Sequence, residues 1–235
     1  MEISIVMPCL NEAKTISACI MKAKRVLKEM GVDGEIIVAD NGSIDGSDLI
    51  ASSLGARIVH QPKKGYGSAY IAGFKATQGK YIVCADSDDT YDFGEMPKFI
   101  RLLEDGYDLV MGSRLKGKML AGAMPWLHRY IGNPILTGIL NLLFRAGVSD
   151  AHCGMRAFTK EAYEAMKLNA EGMEFASEMV IKAVEKGLRI GEVPIKYYPR
   201  AGESKLRTFR DGWRHLRFMI GYWLRINQGG DRKLR

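Results

Sequence analysis

No stretch of the 235-residue sequence reaches the roughly 18–20 uninterrupted apolar residues that a membrane span needs. Residues 131–148 come nearest, but Asn133, Pro134, Asn141 and Arg145 interrupt them, and 218–224 is too short. Cysteine is scarce: Cys9, Cys19, Cys84 and Cys153 are scattered, with no CxxC pair and no histidine at zinc spacing. That excludes a disulfide scaffold and predicts reduced, buried thiols. The four histidines form no metal-ligand pattern either. Glu2 leads straight into the strand-like ISIVM with no basic stretch before it, so no secretory signal is expected. A Gly-x-Gly-x-x-Gly turn is missing after the first strand. The nearest approach to a phosphate-binding P-loop, Gly73 to Gly79-Lys80, has one residue too many and Tyr81 where Ser or Thr is needed. These absences point to a cytoplasmic globular domain that holds phosphate, if at all, without a glycine cradle.

Charge is present in quantity but unevenly placed. The net charge is +7, yet residues 196–235 hold eleven Lys/Arg against three acids, +8 in forty residues, which leaves −1 for the rest. Such asymmetry predicts an anionic partner for the tail, a membrane surface or nucleic acid. Residues 204–226 have helical spacing: Phe209, Trp213, Leu216, Ile220 and Trp223 recur every three or four positions, beside a stripe of Arg207, Arg210, Arg214 and Arg217. A basic amphipathic helix with two tryptophans suits anionic lipid. The alternative is a helix docked on the domain with a solvated basic face.

In the body of the chain, short β-rich runs at 3–7, 35–39, 56–59, 80–84 and 108–112 alternate with helix-period segments near 12–29, 45–54, 67–77 and 95–104. This order predicts βαβ units and an α/β fold with a doubly wound, mostly parallel sheet flanked by helices. Further helices are expected at 131–146, 160–168 and 174–186, and a closing strand at 188–198. Ser43 or Asp45 is expected to cap the second helix.

In an open parallel sheet, ligands bind at the carboxyl ends of the strands, near the point where strand order reverses. Here those ends carry Pro8, Asn11 and Glu12, then Asp40-Asn41-Gly42-Ser43, then Asp86-Ser87-Asp88-Asp89. Three carboxylates in four residues resist joint ionisation without a compensating cation. A hard divalent ion, Mg²⁺ or Mn²⁺, shared with substrate phosphates would supply it; an acidic turn capping a helix is the plainer reading of that string by itself.

The combination is more specific. PCLNEA, ADNGSIDGS, KGYGSAYIAG and DSDD, in this order, resemble glycosyltransferase family 2. The later strings GSR (112–114), DAHCGMRAF (150–158) and R-x-G-E-S-K (200–205) are similar to its branch of dolichyl-phosphate mannose and glucose synthases. The resemblance covers about residues 3–210 and implies a GT-A fold. It divides the chain into a catalytic domain at 1–203, with a nucleotide-sugar half at 1–112 and an acceptor half at 113–203, followed by the basic tail at 204–235. By the same resemblance Pro8, Asn11, Glu12 and Asp40 would line the nucleoside pocket, with Lys64 and Gly65 beside the nucleotide. Asp86 and Ser87 would lie at the donor, and Asp86 and Asp88 would be the metal ligands. Arg200 and Lys205 would neutralise the diphosphate, and Arg114 and Arg129 would bind the acceptor's phosphate. Thr90 departs from the pattern, standing where mannosyl members often have a glutamine ligand.

The implied reaction is inverting transfer of a hexose from a UDP- or GDP-linked sugar to a polyprenyl phosphate, at the cytoplasmic face of the membrane. A lipid monophosphate is largely dianionic at neutral pH, so it needs positioning and charge neutralisation rather than a base. A soluble hydroxyl acceptor, a sugar or glycerate, would need a base, for which Asp89 and Glu178 are the candidates. A nucleotide- or nucleic-acid-binding protein without catalysis is the third reading, and the apolar stripe beside the arginines argues against it.

Overall fold

The computed structural model describes residues 1–201 and 208–228 of the chain; Lys205 and Arg207, and most of the segment joining body to tail, lie outside the described residues. The described residues form a seven-stranded sheet in the order β3-β2-β1-β4-β6-β5-β7. The strands are β1 Ile3–Cys9, β2 Gly34–Asp40, β3 Arg57–His60, β4 Tyr81–Cys84, β5 Leu109–Met119, β6 Arg156–Thr159 and β7 Ile190–Tyr197. β1 pairs in parallel with β2 and with β4, β2 with β3, and β5 with β7. From β1 the chain winds outward to β2 and β3 on one side and returns to β4 on the other. The carboxyl ends of β1, β2 and β4 therefore meet where the winding reverses.

Alternation along β1 fills two cores. Ile3, Ile5 and Met7 join one apolar cluster and Val6 the other, all fully buried. Helices α1 (Ile16–Met30) and α4 (Met96–Glu104) cover the first face. The second lies under α3 (Tyr66–Lys75), α5 (Asn133–Phe144), α7 (Phe175–Glu185) and α8 (Thr208–Gln228). The short helices α2 (Ser47–Ser53) and α6 (Lys160–Met166) complete the helical layers. Gly46, not Ser43 or Asp45, stands at the cap position of α2, although Asp45 accepts from the Ser47 amide at 3.1 Å.

Two differences from the sequence expectation matter. β6 runs antiparallel between β4 and β5, and its first three residues belong to the string read as a motif. β5 continues seven residues past its expected end, through the GSR string, with a register irregularity between Ser113 and Lys118.

The tail helix is docked, and of the expected stripe Trp223 packs on the second core while Trp213 and Ile220 do not. His215 and Met219 are buried, and Phe218, Tyr222 and Ile226 pack on the second core. Trp213, Ile220 and Leu224, 64%, 42% and 43% exposed, face outward on the same side as the exposed Arg217. Arg214 is not a free cation, since its Nη2 pairs with Glu174 at 2.9 Å.

At the centre of that docking contact, Ser177 Oγ lies 2.8 Å from His215 Nδ1 and 3.2 Å from His152 Nε2. Burial is the main reason that the His215 imidazole falls from the usual 6.5 to about 4. Glu174 and Asp211 oppose the fall, and Arg156 and Arg214 add to it. Burial likewise pushes His152 down. A lowered pKa means that the folded chain binds fewer protons than the unfolded one, so stability falls as pH drops from about 6.5 towards 4. The slope from His215 is up to about 1.4 kcal/mol per pH unit. Urea melts between pH 7.5 and 4.5 should show this loss, and His215→Asn should flatten that part of the profile.

Candidate functional site

Side chains bonded to backbone tie the three strand-end loops together. Asn11, left-handed at φ 53°, donates its amide to Ser43 Oγ at 2.9 Å and accepts from the Ile44 amide at 2.8 Å. This joins the loop after β1 to the loop after β2. Ser87 donates to the Pro8 carbonyl at 2.6 Å, and Thr15 Oγ1 donates to the Ser87 carbonyl at 2.7 Å, bringing in the loop after β4. Pro8, Asn11 and Ser87 thus frame the ends of β1, β2 and β4.

The loop after β2 is organised from within. Asp40 is buried and accepts from the amides of Gly42 and Ser43, each at 3.1 Å, with His60 Nδ1 3.5 Å away. These bonds outweigh burial and hold its carboxyl below the usual range. Asn41 donates to the carbonyls of Gln61 and Lys63 and accepts from the Gly65 amide at 2.8 Å. It thereby fixes the 61–65 segment, a role that sequence reasoning did not assign. Lys64 Nζ donates to the Asn41 carbonyl at 2.7 Å. Gly65 sits at φ 148°, and a Cβ there would lie 2.2 Å from the Glu171 carbonyl oxygen; no other residue fits.

Asp86, Asp88, Glu12 and Arg200 converge. Asp88 is 6% exposed. Its Oδ1 accepts from the Thr90 amide at 3.1 Å and from Thr90 Oγ1 at 2.6 Å, while its Oδ2 faces Arg200 Nη1 at 2.9 Å. The other end of the guanidinium, Nη2, is in direct contact with Glu12 Oε1. Thr90 is thus a clamp on the central carboxylate.

Asp86 takes both phenols of α3 on one oxygen. Tyr66 and Tyr70 donate to Oδ1 at 2.9 and 3.2 Å, an i, i+4 pair on one helix face. Beside Oδ2 lies Gly154, where a Cβ would come within 2.7 Å of it. Burial first, and the charge of Asp88 second, push the Asp86 carboxyl up to about 6, although both phenols and Arg200 favour its ionised form. Sequence reasoning missed Tyr66, Tyr70 and Gly154 as individual residues. The i, i+4 tyrosines were a usable signal; nothing local in the chain tied Gly154 to Asp86.

The pair Asp86 and Asp88 fits a hard divalent ion in donor chemistry. Its oxygens are crowded with negative charge, and a guanidinium already sits against one of them. Among the described residues no three His, Cys, Asp or Glu side chains are grouped so as to hold a metal unaided. An ion there would draw its remaining ligands from phosphate and water, as Mg²⁺ ordinarily does.

The expected acceptor arginines are placed differently. Arg114 is buried and forms a two-pronged ion pair with Asp150, Nε–Oδ2 at 2.7 Å and Nη2–Oδ1 at 2.8 Å, beneath the Tyr197 ring. Its charge is answered by Asp150, and the pair fastens β5 to the segment at 150. Arg129 sits in a π-helical turn, His128–Gly132, half-buried over the Tyr130 ring, and makes no ion pair among the described residues.

The candidate bases are both committed. Asp89, left-handed at φ 63°, pairs with Lys22 at 2.7 Å. Glu178 is 1% exposed, accepts from the amides of Asn169 and Ala170, and pairs with Lys182 at 2.9 Å.

A family model described as Glycosyl transferase family 2 matches residues 4–166. The chain is 49% identical over 219 residues to the low-salt glycan biosynthesis hexosyltransferase Agl6 of Haloferax volcanii. That match covers 93% of this chain and 53% of the relative, so the chain spans about half the length of that protein. It is 36% identical over 213 residues to a dolichyl-phosphate hexose transferase of the same organism, covering 90% of this chain and 89% of the other. Among solved structures, glucosyl-3-phosphoglycerate synthase of Mycobacterium tuberculosis is similar in fold. In its complex with Mn²⁺, UDP and glucosyl-3-phosphoglycerate the TM-score is 0.73 at 25% identity, covering 94% of this chain and 80% of that one. A complex of the same enzyme with Mg²⁺ and UDP also gives 0.73 at 25%.

Proposed function

Because the chain belongs to glycosyl transferase family 2, we propose that it transfers a hexose, with inversion, from a UDP- or GDP-linked sugar to the phosphate of a polyprenyl phosphate. Residues 1–112 would hold the donor and 113–203 the acceptor, with 204–235 as the tail. A divalent ion, Mg²⁺ or Mn²⁺, would offset the charge that develops on the leaving diphosphate. Asp88 and Asp86 would hold that ion, and Arg200 would meet the diphosphate from the other side. Asn41, Asn11 and Ser87 keep the three loops at fixed spacing, and Asp40 lies where the nucleoside would be read. The Mn²⁺ and Mg²⁺ complexes of the structural neighbour support the ion.

The observation that carries the choice of acceptor is the commitment of both candidate bases. A hydroxyl must lose its proton as it attacks, and a base must lie within hydrogen-bond reach. With Asp89 held by Lys22 and Glu178 by two amides and Lys182, a phosphate that is already an anion suits the site better. The dolichyl-phosphate hexose transferase among the relatives supports the same reading.

The surface supports a membrane-facing acceptor half. No described helix is long and apolar enough to cross a bilayer. Yet Trp126, Tyr130, Ile135 and Leu142, between 55% and 81% exposed, line the turn before α5 and α5 itself, which packs beside α8. Together with Trp213, Ile220 and Leu224 on α8 they are large apolar side chains interleaved with arginine, the composition of an interfacial surface.

A soluble acceptor is the second reading, favoured by the phosphoglycerate-using structural neighbour. One experiment separates the two: incubation with labelled UDP-glucose and GDP-mannose, offering a polyprenyl phosphate in detergent or 3-phosphoglycerate, with and without EDTA. Chelator-sensitive label in the organic phase is the expected result. Label passing only to the soluble acceptor would replace the proposal with the second reading.

A further inference from the structure

We infer that Arg200 is the resident counter-ion of Asp88, occupying the side of that carboxylate which a divalent ion would use. Ion and nucleotide therefore bind as a unit, each strengthening the other. The inference rests on the glycosyl-transfer reading only in expecting a nucleoside diphosphate as the ligand.

The geometry of Asp88 leaves one oxygen to contest. Thr90 takes Oδ1 with its amide and its hydroxyl, at 3.1 and 2.6 Å. The opposite oxygen, Oδ2, meets Arg200 Nη1 at 2.9 Å. An ion approaching Oδ2 meets a guanidinium, and two cations cannot share one carboxylate oxygen at close range without repulsion. Arg200 is held there by a second carboxylate, Glu12, on its Nη2. The third nitrogen is not satisfied: Arg200 Nε is buried and has no hydrogen-bond partner among the described residues. A buried unsatisfied guanidinium N–H is costly, and it is the donor that a phosphate oxygen would satisfy.

These facts give the coupling its direction. A diphosphate offers Arg200 anionic oxygens in place of Asp88, and the planar fork of arginine suits them. Once Arg200 turns to phosphate, Oδ2 is available to the ion. The ion in turn neutralises the crowding among Asp86, Asp88 and the phosphates. Either ligand alone faces an unfavourable half of this exchange. The absence of a three-side-chain metal group among the described residues agrees, since protein ligands alone would not compensate for displacing the arginine.

The test is Mn²⁺ binding by electron paramagnetic resonance of the free ion, with and without UDP or GDP, on the full chain. Wild type should bind Mn²⁺ weakly alone and at least about tenfold more tightly with the matching nucleotide, a coupling of ordinary allosteric size. Arg200→Gln should bind Mn²⁺ alone about tenfold more tightly than wild type, bind the nucleotide less tightly, and lose most of the coupling. Arg200→Lys, which keeps the charge, should keep Mn²⁺-alone binding weak, and Asp88→Asn should remove it in either background. If Arg200→Gln proves poorly folded by thermal melting, Arg200→Ala takes its place. Unchanged or weaker Mn²⁺ binding by the neutral variant, without nucleotide, overturns the inference. So does wild type binding Mn²⁺ equally well with and without both nucleotides. Because the readout is ion binding, failure of sugar transfer in the donor panel would leave this result standing on its own.

Discussion

Asp88→Asn is expected to lower the rate of sugar transfer by about 10²–10³-fold or more, the scale seen when one electrostatic stabiliser of a developing anion is removed, while leaving the fold intact. The substitution keeps the shape of a side chain that is 6% exposed. The amide oxygen can still accept both bonds from Thr90. What disappears is one negative charge from a cluster of three carboxylates answered by one guanidinium, and Asp86 is relieved of the neighbour that helps push it up to about 6. Stability should therefore change little, and urea melts of the variant should overlay wild type within about 1 kcal/mol.

The informative contrast is with Asp89→Asn, one residue away. Asp89 is bound to Lys22 across the surface of α1, so its loss should change turnover by only a few-fold. Steady-state rates on purified variants decide between the two outcomes. If Asp89→Asn is as inactive as Asp88→Asn while still binding donor, a proton must be removed at the site, and the hydroxyl-acceptor reading takes precedence.

The parts of this molecule legible in the sequence are those whose cause is local. β1, β2 and β4 show as short apolar runs because both their faces are buried, and the helices between them show by their period. The convergence of Pro8, Asp40 and Asp86 follows from topology alone, since three parallel strands around a reversal of winding must end side by side. β6 was invisible as a strand. It is four residues long, it begins with an arginine whose guanidinium is buried against three carbonyls, and its direction is set by its neighbours rather than by its own residues.

Partnerships over long separation were equally hidden. GSR and DAHCGMRAF read as two separate strings, yet Arg114 of the first and Asp150 of the second satisfy each other across 36 positions. The tail shows the limit of periodicity. Two faces, 213-220-224 and 215-219-222-226, run along one helix, each with large apolar side chains. Only the core beneath it, which presents Ser177 and the second apolar cluster, selects the stripe with His215 and Met219. Thr90, noted for the ligand it lacks, turned out to hold the carboxylate beside it.

Asp150→Ala is expected to be the most destabilising single change, about 3–5 kcal/mol, because it strands a buried guanidinium. Asp150 is fully buried and Arg114 nearly so. The carboxylate receives Nε, Nη2 and the Arg114 backbone amide at 2.7, 2.8 and 3.0 Å, so its loss leaves three donors of β5 unanswered. For a chain of this length such a loss lowers the melting temperature by roughly 6–20 °C. The double variant Arg114→Met/Asp150→Leu should recover much of it, since a buried ion pair is rarely more stable than apolar groups of similar volume. The same pair tests what Arg114 does. If its work is to hold β5 against the segment at 150, Asp150→Ala loses stability and the double variant regains it, with KM for the acceptor following stability. If Arg114 instead serves the acceptor's phosphate, the double variant should be stable yet show a raised KM for polyprenyl phosphate with donor KM unchanged. The two-pronged 2.7 and 2.8 Å geometry favours the first outcome, because an arginine whose charge is already matched in a buried fork would have to abandon Asp150 before it could meet a phosphate.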